Sequence, residues 1–316
     1  MPTTSAAAEQ PIRRGLLRLV SPSGAVQDVQ RLEQAAAHLQ GLGFRVQAGA
    51  QVRARVQRFA GTDAQRLRAL HDAARSKADV VMMTRGGYGL SRLLPMLDYA
   101  LLAGAIEQRR QMWVGHSDFT ALQLALLAKT GAVTFSGPMA VYDFGETALD
   151  EITRDSFLDA VDGSLEAVGF VCDDAPRGLD VQGTLWGGNL SLVASLVGTP
   201  YLPRVRGLLF LEDVNEPPYR IERLFSQLLH AGVLQRQKAV LLGRFTEFRL
   251  SPHDAGYDLH AAVNWLRSQL KPHGVPVLTG LPFGHVRTKL TLPHGVRAHL
   301  MRDGGEVFLF FPHAGH

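Results

Sequence analysis

Short apolar runs alternate along the first half of the chain with stretches whose apolar residues recur at helical spacing. GLLRLV at 15–20 stops at Ser-Pro-Ser-Gly, and a helical pattern follows over 26–42. FRVQAGA at 44–50 predicts a second strand and 62–76 a second helix, after which ADVVMMTRGGYG carries an apolar strand into a run of glycines. RRQMWVGHSD repeats the theme and leads into a helix that starts near Phe119 and carries Leu122, Leu124, Leu126 and Leu127. Apolar strands alternating with helices predict an α/β fold built on a parallel, doubly wound sheet.

After about Leu165 the rhythm changes. VQGTLWGGN, RGLLFLEDV, AVLLGRFTEF, VPVLTGLPFG, KLTLPHGVRAHL and GEVFLFF are short β-like runs separated by Gly and Pro, and helical patterns persist only over 191–197, 220–231 and 258–270. The pattern therefore divides into a disordered lead-in at 1–14, a first domain at 15–165, a linker at 166–182 and a β-rich second domain at 183–316. Its 316 residues exceed the roughly 250–300 over which a single core stops growing, which agrees with two domains.

Composition narrows the class. With 46% hydrophobic and 20% charged residues the chain reads as soluble and globular. The net charge is only +4 and the arginines are dispersed, so no nucleic-acid partner is implied. The single cysteine, Cys172, excludes an internal disulfide and a cysteine-based metal site. MPTTSAAAEQPIRRG lacks the basic start and apolar run of a secretory signal, and no window holds the ~18 unbroken apolar residues of a membrane span. A cytoplasmic protein without a membrane partner is expected.

In open α/β sheets ligands sit beyond the carboxyl ends of the strands, which directs attention to 21–24, 85–89 and 115–118. Ser117, between an apolar strand and a helix, would stand on a tight turn beside helix N-terminal amides that can stabilise an oxyanion. Serine is equally a favoured helix cap, and Phe119 occupies the place of the second glycine in G-x-S-x-G, which disfavours an ordinary esterase. Arg85-Gly86-Gly87-Tyr88-Gly89 could cradle a phosphate, supply an oxyanion amide or simply turn the chain. It lacks the lysine or G-x-G-x-x-G of a nucleotide site.

A serine nucleophile needs a base. Among twelve histidines, His285 ends a β-like run at Pro-Phe-Gly, a placement that presents its ring to a cleft, although a structural histidine would fit there too. An orienting acid should end a buried strand, as Glu212 and Asp213 do after LLFL. Strand alternation sends them to opposite faces, so only one can enter a site.

Together these segments resemble the LD-carboxypeptidase family of serine peptidases, which includes muramoyltetrapeptide carboxypeptidases and peptidases giving immunity to microcin C-type antibiotics. The matching blocks are SPSG at 21–24, AGTD at 60–63, RGGYG at 85–89, GHSD at 115–118, GGNL at 187–190, LEDVNEPPYRIERL at 211–224 and PFGH at 282–285. The resemblance implies a Rossmann-like N-terminal domain carrying the nucleophile Ser117 and a β-rich C-terminal domain carrying the acid Glu212 and the base His285. It implies oxyanion donors at the amides of Asp118 and Gly87, no metal or other cofactor, and a homodimer. His116 stands where an aromatic residue is expected. Arg85 is a candidate for binding a substrate carboxylate. The reaction implied is removal of the terminal D-Ala from muropeptide tetrapeptides during cell-wall recycling. The alternatives are a peptidase acting on microcin C-type peptidyl-nucleotides and a non-catalytic protein that binds a sugar or nucleotide.

Overall fold

A computed structural model describes residues 13–311. The first half delivers the predicted alternation. Strands β1 (Leu16–Val20), β2 (Arg45–Ala48), β3 (Val80–Met83), β4 (Met112–Gly115) and β5 (Thr134–Ser136) alternate with helices α1 (Val29–Gly41), α2 (Asp63–Arg75), α3 (Tyr99–Glu107) and α4 (Phe119–Thr130). Helix α5 (Glu151–Asp162) follows. The five strands pair in parallel in the order β2, β1, β3, β4, β5.

The second half contains β6 (Ala167–Val171), β7 (Asp180–Asn189), α6 (Leu190–Ser195), β8 (Gly207–Val214), α7 (Pro218–His230), β9 (Ala239–Thr246), α8 (Leu259–Leu270), β10 (Val277–Leu278), β11 (Leu292–His294), β12 (Arg297–Asp303) and β13 (Glu306–Phe310). Its seven-stranded sheet runs β10, β9, β8, β7, β12, β13, β6. Strands β10 to β7 are parallel and the remaining pairings antiparallel.

Three observations cut across the sequence-based division. Residues 167–171, inside the expected linker, form β6 and pair with β13. Strand β11, from the second half, closes the first sheet by pairing antiparallel to β5. Most of the expected lead-in lies outside the described residues, but Arg14 is fixed: its guanidinium donates to Asp162 at 2.8 and 3.1 Å and to the Leu42 carbonyl at 2.7 Å.

Side-chain alternation then decides where the cores lie. In β3, Val81 and Met83 face α2, α3 and α4, whereas Val80 and Met82 face α1 and α5. In β8, Leu209 and Leu211 join the first of these clusters, and Leu208 and Phe210 join the second. Both cores therefore run through both sheets. Helix α4 is the clearest consequence, since it is enclosed between the first sheet and the α6 and β7 region, and every residue from Phe119 to Leu126 is buried.

Arg66 fixes the loops that flank Ser117. Its side chain is fully buried on α2, where Thr62 and Gln65 form a capping box. The guanidinium donates to the Pro22 carbonyl at 2.6 Å and the Gly89 carbonyl at 2.9 Å and pairs with Asp63, joining the SPSG loop to the RGGYG loop. Removing it would leave the Pro22 and Gly89 carbonyls without this donor and Asp63 with Arg92 alone. We expect Arg66→Ala to lower unfolding stability by about 3–5 kcal/mol, read as a shifted midpoint in urea denaturation; an unchanged midpoint would contradict this role.

Candidate active site

Ser117 occupies the turn between β4 and α4 with φ at +62°, a left-handed conformation that a non-glycine residue adopts only at a cost of about 1–3 kcal/mol. The surrounding structure supports it: the His116 carbonyl accepts from the Phe119 amide at 3.2 Å, and the Ser117 carbonyl from the Thr120 amide at 2.9 Å. The strain turns the serine side chain away from both strand and helix, toward the RGGYG turn. There Gly86 is so close that an added Cβ would lie 2.6 Å from both Cβ and Oγ of Ser117. Gly87, with φ at +102°, continues the turn. The amides of Asp118, Gly86 and Gly87 donate to no group among the described residues. The Asp118 carboxylate accepts from the Leu90 amide at 2.9 Å, which ties the start of α4 to the same turn. Burial raises its pKa against hydrogen bonds from Ser23, Leu90 and Gly89.

At the end of β8 the two neighbouring carboxylates diverge. Glu212, fully buried, accepts from His285 Nδ1 at 2.8 Å on Oε2 and from Asn189 Nδ2 at 3.3 Å on Oε1. Asp213 takes Asn189 Nδ2 at 2.8 Å and the Ser191 amide and hydroxyl at 2.9 and 2.7 Å, so it fastens the first turn of α6. The PFGH glycine makes the His285 approach possible: a Cβ on Gly284, where φ is +132°, would stand 3.2 Å from Glu212 Oε2 and 3.0 Å from the Arg244 carbonyl.

Ser117 and His285 come from opposite halves of the chain, and His116 brings them together. Its ring packs edge-on against His285 at 5.1 Å between centroids, and also against Tyr142 and Phe283. His116 therefore fills the aromatic role expected at that position. Burial, then the charges of Lys289 and His285, hold its pKa well below the ordinary value, and Nδ1 lies 2.9 Å from the Gly137 carbonyl. The neutral ring with Nδ1–H donating satisfies that geometry. No hydrogen bond joins Ser117 to His285 among the described residues.

Several contributors to this arrangement were missed in the sequence. Asn189 was legible only as part of GGNL, yet it bridges both carboxylates and caps α6 through the Leu192 amide. Lys289 and Asp143 form a buried ion pair beneath Tyr142, with Nζ 4.7 Å from the ring centroid. Nothing in KLTLP or AVYDF marks them as partners. Arg85, a candidate for carboxylate binding, donates through Nη1 to the Ala25 carbonyl at 2.9 Å.

A cavity of about 510 Å³, lined by Arg177, Lys238 and Lys271, lies at the opposite end of these strands, where β7 and β9 begin. A smaller one of about 230 Å³, between Tyr142, Ala148 and Arg287, adjoins the His285 segment. Chemistry, not cavity size, locates the site. Among the described residues no group of three His, Cys, Asp or Glu side chains could hold a metal, and no helix is long and apolar enough to cross a membrane.

Residues 17–137 match the model of the LD-carboxypeptidase N-terminal domain and residues 182–300 that of its C-terminal domain. The chain is 31% identical to the probable murein peptide carboxypeptidase of Bacillus subtilis, over 86% of this chain and 84% of that one. A crystal structure of muramoyltetrapeptide carboxypeptidase from Oxalobacter formigenes matches with a TM-score of 0.85 and 44% identity, covering 94% of this chain and 98% of the other. The microcin C7 self-immunity protein MccF in complex with glutamyl sulfamoyl guanosine matches at 0.80 and 26%, covering 94% and 96%. Fold and similarity define a serine-type carboxypeptidase. More particularly, the chain belongs to the LD-carboxypeptidase family.

Two outcomes test the geometry. Gly86→Ala places a methyl group against the Ser117 side chain without demanding a forbidden backbone. We expect kcat to fall about 10²-fold, read from initial rates, with circular dichroism confirming that the variant is folded. The second concerns pH. Burial pulls the His285 pKa down, but the charge and hydrogen bond of Glu212, with the charge of Asp213, outweigh it and leave the imidazole above its ordinary 6.5. A raised folded-state pKa means that protonated His285 stabilises the fold at low pH. That contribution fades as pH rises through the folded value, whereas a base must be deprotonated to act. Activity should therefore rise with pH along a limb whose midpoint lies above 6.5, and Glu212→Gln should move that midpoint down. A midpoint unmoved in the variant would separate Glu212 from the titration.

Proposed function

We propose that this chain is a serine LD-carboxypeptidase that removes the terminal D-Ala from muropeptide tetrapeptides in cell-wall recycling. The observation that carries this reading is the buried His285–Glu212 hydrogen bond at 2.8 Å, packed through His116 against the strained turn that presents Ser117. Glu212 holds Nδ1–H and leaves Nε2 free to accept the serine proton. Ser117 Oγ attacks the carbonyl that precedes D-Ala, and the tetrahedral oxyanion takes hydrogen bonds from the amides of Asp118 and Gly87. Each donor is worth about 3–4 kcal/mol in the transition state. His285 then passes its proton to the departing amine, D-Ala leaves, and the tripeptide remains as an ester on Ser117. Water, deprotonated by His285, attacks that ester and restores the serine.

The sulfamoyl-nucleotide complexes of MccF favour a second reading, in which the same residues cleave a peptidyl-nucleotide. The tetrapeptide is preferred because the 44% identical neighbour is a muramoyltetrapeptide carboxypeptidase. A cytoplasmic location suits a substrate returned from the wall, and it agrees with one buried, unpaired cysteine. Assembly as a homodimer belongs to the proposal through the family resemblance.

Mass spectrometry of L-Ala-γ-D-Glu-meso-diaminopimelate-D-Ala incubated with wild type and Ser117→Ala tests it. We expect the wild type alone to release one alanine, and the variant to lose at least ~10³-fold in rate. Intact tetrapeptide with cleaved peptidyl-nucleotide would favour the second reading. Neither cleaved would leave a binding protein.

A further inference from the structure

The turn that touches Ser117 carries an electrostatic imbalance that the triad does not use. Arg85 leaves β3 and lies half-buried against the SPSG loop: an added Cβ on Gly24 would stand 3.1 Å from its Nη1, and one on Gly87 3.6 Å from its Nη2. Its bond to the Ala25 carbonyl fixes it there. The Ala25 amide in turn donates to the Arg58 carbonyl at 2.9 Å, which brings a second arginine, exposed at its side chain, to the same loop. Burial, and after it the Arg58 charge, lower the Arg85 pKa.

Neither guanidinium pairs with an acid among the described residues. The contrast with their neighbours is informative. Arg66 and Arg92, each 4.9 Å from the Phe59 ring, share Asp63 between them. Two like charges held together without a counter-ion, one of them partly desolvated, are unfavourable until an anion arrives. Gly87, one of the two glycines beside Arg85, belongs to the turn whose Gly86 meets Ser117. A substrate carboxylate one residue away from the scissile carbonyl, about 4 Å along the chain, would come within reach.

We infer that Arg58 and Arg85 form a carboxylate subsite beside the nucleophile, which binds one free carboxylate of the peptide substrate by charge-assisted hydrogen bonds. The inference rests on the reading of Ser117 as nucleophile. A muropeptide tetrapeptide offers three such groups: the terminal D-Ala carboxylate, the side-chain carboxylate of diaminopimelate, and the α-carboxylate of γ-linked D-Glu. One chemistry covers all three, and the substrate series below assigns it.

Initial-rate kinetics would compare the full-length wild type with Arg58→Gln, Arg85→Gln and the double variant on four peptides. These are the tetrapeptide, its D-alaninamide form, its lysine-for-diaminopimelate form and its D-isoglutamine form. Arg58→Gln carries the test because its exposed side chain makes no hydrogen bond or ion pair among the described residues, whereas Arg85→Gln also loses the Ala25 bond. On the tetrapeptide we expect KM to rise about 10–100-fold in the double variant and by a smaller factor in Arg58→Gln, with kcat within a few-fold. On the one peptide that lacks the recognised carboxylate, the arginine substitutions should add no further penalty, a non-additivity that identifies the group. Equal penalties on all four peptides, or no KM change in Arg58→Gln, would overturn the subsite while leaving the triad intact. Failure of the wild type to cleave any of the four would overturn the nucleophile reading, and the subsite with it.

Discussion

Burying a carboxylate at the end of β8 is the constraint around which this structure is arranged. Glu212 has no exposed surface, and an ionised carboxylate removed from water is costly unless donors surround it. His285 and Asn189 are those donors, one for each oxygen. Their placement in turn dictates two sharp turns. Gly284 must be a glycine to let the His285 segment cross over Glu212, and the GGNL turn must let Asn189 reach across to β8. Gly187 shows how tight that crossing is, because a Cβ there would lie 1.9 Å from the Phe210 carbonyl. Gly188 meets Thr120 of α4, whose hydroxyl accepts from the Asn189 amide at 3.1 Å. The acid, its donors and the helix behind Ser117 are thus one connected set of contacts.

That connection has a mechanical meaning. The groups proposed to act together come from opposite halves, an arrangement that suggests gating by relative motion of two domains. The packing argues otherwise. Two apolar clusters each pass through both sheets, β11 completes the first sheet with a strand from the second half, and α4 is enclosed on all sides. Sliding the halves apart would expose side chains from both clusters at once, at roughly 25 cal/mol per Å² of apolar surface. The placement of the Ser117 turn and of the His285 segment is accordingly tied to the folded core, and in the proposed mechanism adjustment on binding falls to the side chains and loops around them.

Strands β1 to β4, with α1, α2 and α4, were legible in the sequence because each announces itself within a dozen residues, whereas α3 and the three-residue β5 were not read. Ser117, Glu212 and His285 stood out as candidates because each sits where an apolar run breaks off, with the choice of Glu212 over Asp213 coming from the family resemblance. What was not legible depends on pairing over long distances. β6 reads as linker because AVGFV is five residues long and half exposed, and only its pairing with β13 makes it a strand. β11 reads as part of the second domain because its neighbours in sequence are there, while its hydrogen bonds are with β5. Arg66 looks like one more polar position on an amphipathic helix, and its two carbonyl partners lie 44 and 23 residues away. Lys289 and Asp143, separated by 146 residues, show the same limit: periodicity says which face is buried, not which buried charges meet.

Those two buried charges bear on the chemistry of the base. Glu212 and Asp213 raise the His285 pKa, and burial and Lys289 lower it. Without a balance the imidazole would either stay protonated at neutral pH and fail to accept a proton, or be too weak a base to take one from serine. Lys289 sits inside the core paired with Asp143, which is itself anchored by the Met139 amide at 2.7 Å. His116, held neutral beside His285, adds packing without a competing charge. A positively charged aromatic neighbour would repel the imidazolium that forms as Ser117 is deprotonated. The buried pair and the neutral ring therefore frame a partly exposed imidazole, the proposed base, from the core side.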